Sequence, residues 1–73
     1  MKTTIELIAP AMSCGHCKAA IESAVSGLRG IEKVTADPAT KRVSVTFDGS
    51  MIDSETIRKE IEEAGYATEP AGQ

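Results

Sequence analysis

The spacing of hydrophobic positions changes several times along the chain, and each change marks an element. From Thr3 to Ala9, Ile5, Leu7 and Ala9 alternate with Thr4 and Glu6, the period of two that predicts a half-buried strand. Ile8 breaks the alternation, and Pro10, which has no N–H for a ladder, ends it. From His16 to Leu28 the apolar residues Cys17, Ala20, Ile21, Ala24, Val25 and Leu28 recur at helical spacing, which predicts an amphipathic helix. Ser13 or Cys14 stands near its N-cap, Arg29 suits the negative end of its dipole, and Gly30 is placed to close it. Gly27 falls in the last predicted turn and weakens it.

Beyond this helix the period returns to two. Ile31 to Asp37 reads as a second strand with Val34 and Ala36 facing in, and Val43, Val45 and Phe47 mark a third. The turn between them, Asp37 to Lys41, has Pro38 to preset a dihedral angle and Asp37 to bond the backbone. Asp48-Gly49-Ser50 breaks the third strand. Asp53 or Ser54 then caps a second helix that runs to Ala64, buries Ile57, Ile61 and Ala64, and is stopped by Gly65. Its outer face of Glu55, Arg58, Lys59, Glu62 and Glu63 reads as a solvated surface. Tyr66 to Glu69 is expected to form a short edge strand halted by Pro70, with Ala71 to Gln73 fraying.

The predicted order is βαββαβ. It belongs to the α+β class and matches the ferredoxin-like arrangement, a four-stranded antiparallel sheet with two helices on one face. Thr4, Glu6, Thr35, Ser44 and Thr46 suit the open, wet face of such a sheet. One domain is expected over residues 1–73, with its core at about 3–69 and a tail at 70–73.

Composition narrows the function classes. A chain of 73 residues with 41% apolar and 26% charged residues supports one small folded domain and argues against disorder. The net charge of −3, with one Phe, one Tyr and no Trp, gives neither a phosphate-binding surface nor a platform for stacking bases. No nucleic-acid partner is therefore expected. No run is long enough to span a membrane, so no membrane insertion is expected. Residues 1–10 lack the apolar block and cleavage site of a signal peptide. The expected location is cytoplasmic, where cysteines stay reduced. The initial Met and the expected fraying of the tail favour a free-standing protein.

The chemistry is concentrated in Met12-Ser13-Cys14-Gly15-His16-Cys17, which holds both cysteines, the single histidine and one of the three methionines. Two cysteines at this spacing can turn both sulfurs onto one centre, and soft thiolates select ions such as Cu(I). Cys17 falls in the first turn of the predicted helix and Cys14 just before it. There, partial positive charge and unpaired N–H groups favour thiolate over thiol. Gly15 is expected to let the backbone turn tightly between the sulfurs.

A structural Zn(II) site wants four ligands, and the loop offers two Cys plus His16. Cu(I) is satisfied by two thiolates and leaves room for an incoming third. His16 is either a third ligand or a side chain pointing to solvent, and the second reading is preferred because residues between two chelating cysteines tend to point away. Met12 reads most simply as packing. Cys-x-x-Cys is also a redox motif, but the chain is short for a thioredoxin-like domain and has Ser13 where an aromatic residue is usual. A disulfide staple is the remaining alternative.

The motif Met12-x-Cys14-x-x-Cys17 after a first strand, the helix behind it, and Gly65-Tyr66 after the second helix resemble the heavy-metal-associated domain family. The resemblance covers about residues 3 to 69. The family includes cytosolic copper chaperones and the N-terminal metal-binding domains of copper-exporting P-type ATPases. It implies that Cys14 and Cys17 are Cu(I) ligands, that Met12 is a buried anchor beneath the loop, and that Tyr66 stands near the site where eukaryotic chaperones have lysine. Ala11 departs from the family's usual Gly.

The resemblance further implies a metallochaperone rather than an enzyme. Such a protein passes one Cu(I) by ligand exchange to the metal-binding domain of a copper-transporting P-type ATPase, and the same ligands suit Zn(II), Cd(II) or Hg(II). The protein is expected to be a monomer without metal, with a metal-bridged dimer as its alternative state. An excised domain of a heavy-metal ATPase or mercuric reductase would carry the same site.

Overall fold

A computed structural model describes residues 2–13 and 15–70. Strand β1 is Lys2–Ile8, helix α1 Gly15–Ser26, strand β2 Ile31–Asp37, strand β3 Arg42–Asp48, helix α2 Ser54–Glu63, and β4 the two residues Glu69–Pro70. The sheet is antiparallel, in the order β2-β3-β1-β4. β1 and β3 run paired along their full length, from Lys2↔Asp48 to Ile8↔Arg42. The chain is thus α+β and ferredoxin-like, with two helices and an antiparallel sheet built on three long strands.

The fourth strand expected over 66–69 is reduced to Glu69 and Pro70, paired with Ile8 and Leu7. The reason is local. The Tyr66 N–H donates to the Ile61 carbonyl at 3.2 Å and so belongs to the end of α2, and Pro70 has no N–H with which to extend a ladder. Pro70, expected in the tail, is instead part of this short pairing. Residues 71–73 lie outside the described residues, as does the fraying expected of them.

One face of the sheet forms the core. Leu7, Ala9, Ala36, Val43, Val45 and Phe47 are buried against Ile21 and Val25 of α1 and Ile57 and Ile61 of α2. Each large aliphatic side chain buried in this way contributes roughly 1.5–3 kcal/mol. Ala64, expected in the buried stripe of α2, is exposed because the helix has ended by then and Ala64 is its C-cap. The other sheet face is polar: Thr4 and Thr46 share a hydroxyl hydrogen bond of 3.0 Å, and Arg42 donates to Glu6 at 2.6 Å.

Periodicity alone could not supply one feature of β2. Ile31 and Val34 are three apart, so a regular strand would send them to opposite faces. An irregularity between Ile31 and Lys33 shifts the register, so that Ile31 pairs with Phe47 and Lys33 with Thr46. Both Ile31 and Val34 then pack against the core.

Gly30 does not close α1, which ends at Ser26, so that Gly27 lies just beyond the helix and no basic residue occupies the last turn. Gly30 has φ +90° at the start of β2, and a Cβ there would lie 2.9 Å from the Met51 Cβ. It is the point where the chain passes beneath the segment that leads into α2.

Candidate metal centre

The loop between β1 and α1 is fastened from below. Ala9 and Met12 close a turn, with the Met12 N–H donating to the Ala9 carbonyl at 2.9 Å. The Ala9 N–H in turn donates to the Lys41 carbonyl at 2.8 Å. The Lys41 ammonium, arriving from the β2–β3 turn, donates to the Met12 carbonyl at 2.9 Å. The Met12 side chain is fully buried in the core, while Pro10, Ala11 and Ser13 are exposed. A flexible thioether filling the space under the loop is what methionine does well in irregular cores.

Helix α1 begins at Gly15, directly after Cys14 in sequence. Cys14 itself lies outside the described residues, so its expected role as ligand stays an expectation. Cys17 is in the first turn of α1, half-buried and packed against the core. His16 beside it is exposed. The first turn has no acidic residue, so the positive end of the helix meets no carboxylate from its own first turn. Among the described residues, no group of three or more His, Cys, Asp and Glu side chains converges as a metal cluster.

Gly15 is the first residue of α1. It does not have positive φ, and a Cβ there would meet no atom within 4 Å among the described residues beyond its chain neighbours. Its helical backbone makes no demand for glycine among the described residues, and the turn expected between the two sulfurs involves Cys14, which lies outside them.

Tyr66 follows the end of α2. The Gly65 N–H donates to the Glu62 carbonyl at 2.9 Å and the Tyr66 N–H to Ile61, with Gly65 at φ +105°. The Glu62 carbonyl thereby gains a donor, and the Ile61 carbonyl, which also accepts from the Ala64 N–H at 3.1 Å, gains a second. The two bonds also turn the chain so that Tyr66 packs, half-buried, against the core that holds Met12 and Cys17.

The far side of α1 is strapped to the sheet. Glu22 accepts from the Ala36 N–H at 2.9 Å and from the Lys18 ammonium. Lys18, and after it the Ala36 N–H, hold the Glu22 carboxyl below its ordinary value. β2 is an edge strand, and Glu22 satisfies one of its outward N–H groups.

Lys41 is the residue that sequence reasoning missed. It was read as part of a turn, 29 positions from Met12, and no local signal ties the two. The available hint was a lysine at the end of a turn whose geometry calls for a left-handed residue; Lys41 has φ 62°.

Comparison with known proteins bears on the fold and the loop together. The heavy-metal-associated domain model matches residues 6–67. A "Probable copper-exporting P-type ATPase" of Archaeoglobus fulgidus is 44% identical over 55 residues, which cover 75% of this chain and 7% of the ATPase. "Copper chaperone CopZ" of Staphylococcus aureus is 38% identical over 55 residues, covering 75% of this chain and 81% of the chaperone. Among solved structures, oxidized MerP from Ralstonia metallidurans CH34 superposes with a TM-score of 0.93 at 28% identity, covering 99% of this chain and all of that one. With its strand–loop–helix entry to Cys17, its buried Met12 and a family match that spans most of its length, the chain belongs to the heavy-metal-associated domain family.

Proposed function

We propose that this protein is a Cu(I) metallochaperone that holds one ion between the thiolates of Cys14 and Cys17 and hands it on by ligand exchange. The observation that carries the reading is the placement of Cys17, half-buried in the first turn of a helix whose start has no acidic residue. That setting favours a thiolate, and a soft two-sulfur donor set fits Cu(I) better than Zn(II). The 38% identity with a copper chaperone over most of that protein's length supports it.

In the transfer step, a cysteine thiol of the partner loses its proton to solvent and its sulfur adds to the ion. The centre is then three-coordinate. Departure of Cys14 or Cys17 restores two-coordination, the released thiolate takes up a proton, and a second such exchange with the partner's other cysteine thiol completes the transfer. No electron is gained or lost and the ion leaves chemically unchanged, which is the behaviour of a carrier. The acceptor is the metal-binding domain of a copper-transporting P-type ATPase, and the setting is the cytoplasm. Among the described residues, no helix is long and apolar enough to cross a membrane.

The 44% identity with a P-type ATPase, of which the matched stretch is 7%, favours a second reading, in which this chain is one metal-binding domain of a longer transporter. Both readings share the site and the chemistry.

The test is to mix the reduced, Cu(I)-loaded protein with an apo acceptor domain and follow the metal by NMR. Transfer within minutes at one ion per chain is expected, with Zn(II), Cd(II) and Hg(II) as competitors in parallel titrations. No transfer, together with rapid reduction of insulin disulfides, would replace the carrier with a thiol-redox protein.

A further inference from the structure

We infer that Lys41 is a positioning residue for the metal loop, a role that rests on the reading of Cys14 and Cys17 as the site. Three observations converge on it. Its carbonyl accepts from the Ala9 N–H and its ammonium donates to the Met12 carbonyl, so one residue grips both ends of the Ala9–Met12 turn. It does so from φ 62°, and among the described residues it is the one non-glycine with positive φ. Its side chain is half-buried, laid along the protein and not extended into solvent.

The backbone conformation explains why this grip matters. A left-handed turn position is ordinarily filled by glycine or asparagine, since a Cβ there is crowded. Glycine at 41 would relieve the strain and keep the carbonyl bond to Ala9. What only a long cationic side chain supplies is the bond to the Met12 carbonyl. That bond fixes the peptide plane between Met12 and Ser13, and hence the direction in which the chain leaves the buried Met12 for Cys14. A charged donor on a partly buried carbonyl makes a stronger hydrogen bond than a neutral one. The position therefore accepts backbone strain and gains control over the loop.

The inference separates loop order from overall stability, and the experiment uses that separation. In the reduced, metal-free protein, Lys41→Gly is expected to keep or raise the urea midpoint, because the strain is gone. The Met12 amide should nevertheless exchange with solvent about tenfold faster, as loss of a charge-assisted bond implies. Core amides such as those of Ile21 and Val45 should not change. Once loaded, the variant should release Cu(I) to a chelator several times faster than the parent. Lys41→Met, which keeps the stem and the backbone strain and removes the charge, should speed Met12 exchange and Cu(I) release in the same way, and Lys41→Arg should restore the slower exchange.

Met12 exchange within twofold of the parent in both Lys41→Gly and Lys41→Met would overturn the inference. So would acceleration shared equally by the core amides, which would make Lys41 a general stabiliser. The metal-free measurement stands apart from the proposed function. A protein that binds no Cu(I) yet loosens its loop on Lys41→Gly would sink the copper reading alone. Intact Cu(I) binding and release with an unmoved loop would sink only the role of Lys41.

Discussion

The two helices begin in opposite ways. At the start of α2, Asp53 is the N-cap in extended conformation, and its carboxylate accepts from the Thr56 N–H at 2.9 Å and the Thr56 hydroxyl at 2.7 Å. Glu55 adds a second negative charge to that first turn. At the start of α1 there is no acidic residue in the first turn, and the chain there carries Gly15, His16 and Cys17. The first arrangement satisfies the helix end with the protein's own carboxylate and closes it. In the second, the described first turn carries Cys17 and no carboxylate. The loop before α1 is closed by the bond from the Met12 N–H to the Ala9 carbonyl and held from beneath by the buried Met12 side chain and by Lys41. Under the proposed function, one helix start serves stability and the other serves the metal loop.

The sharpest break in that comparison comes from the sulfurs. Replacing Cys14 or Cys17 by Ser is expected to weaken Cu(I) binding about a thousandfold or more, or roughly 4 kcal/mol, while far-UV circular dichroism keeps its shape. Competition against a Cu(I) chelator at fixed pH measures it. Retention of tight binding in either single variant would mean that the two thiolates are not the donor pair.

The converse substitution at α2 should touch stability and leave the metal alone. Asp53→Ala is expected to lower Tm by about 5 °C, the typical effect of losing a helix cap in a domain of this size, with no change in Cu(I) affinity. The effect has a definite pH dependence. The Thr56 hydroxyl, and then the Thr56 N–H, hold the Asp53 carboxyl below its ordinary value. A carboxyl whose folded pKa is depressed stabilises the fold above its unfolded pKa of about 3.9 and loses that contribution as pH falls through the lower folded value. The gap between parent and variant should therefore be full at neutral pH and close below about pH 4. Thermal melts across that range give the answer, and a gap that widened in acid would contradict the cap assignment.

The smallest effect is expected at His16. It is exposed beside Cys17, and two thiolates already suit Cu(I). His16→Ala should change Cu(I) affinity by less than about threefold and weaken Zn(II) more, since Zn(II) gains from each nitrogen donor. A Cu(I) loss beyond about tenfold, or roughly 1.4 kcal/mol, would make His16 a ligand and erase the distinction between a sulfur site and a mixed one.

Much of this architecture was legible in the chain because local rules and the fold agree. Alternation placed Leu7, Ala9, Val43, Val45 and Phe47 on the core face, and helical spacing placed Ile21, Val25, Ile57 and Ile61 opposite them. Strand β2 was read with its bounds, and the Asp37 turn behaves as expected, its carboxylate accepting from the Ala39 N–H at 3.0 Å. The errors fall at the ends of elements, some set by local bonds and some by a distant neighbour. Spacing alone puts Gly30 at the end of α1, yet its conformation answers to the distant Met51 and Ile52. The edge strand was drawn too long because the bond from Tyr66 back to Ile61 was not foreseen.

The sequence by itself determined the order of elements, most of their inward positions, and the gathering of soft side chains into one six-residue stretch. These follow from the periodicity of side chains along a helix or strand and from the chemistry of sulfur, and neither needs a partner remote in the chain. Only the tertiary structure decided what holds that stretch in place. The register shift that brings Ile31 and Val34 to one side, and the Lys41 ammonium that reaches the Met12 carbonyl, are both long-range. The cause is geometric: a hydrogen bond between residues 12 and 41 exists only because β1 and β3 lie side by side, with Ile8 opposite Arg42, and pairing across the sheet leaves no periodic trace in either segment.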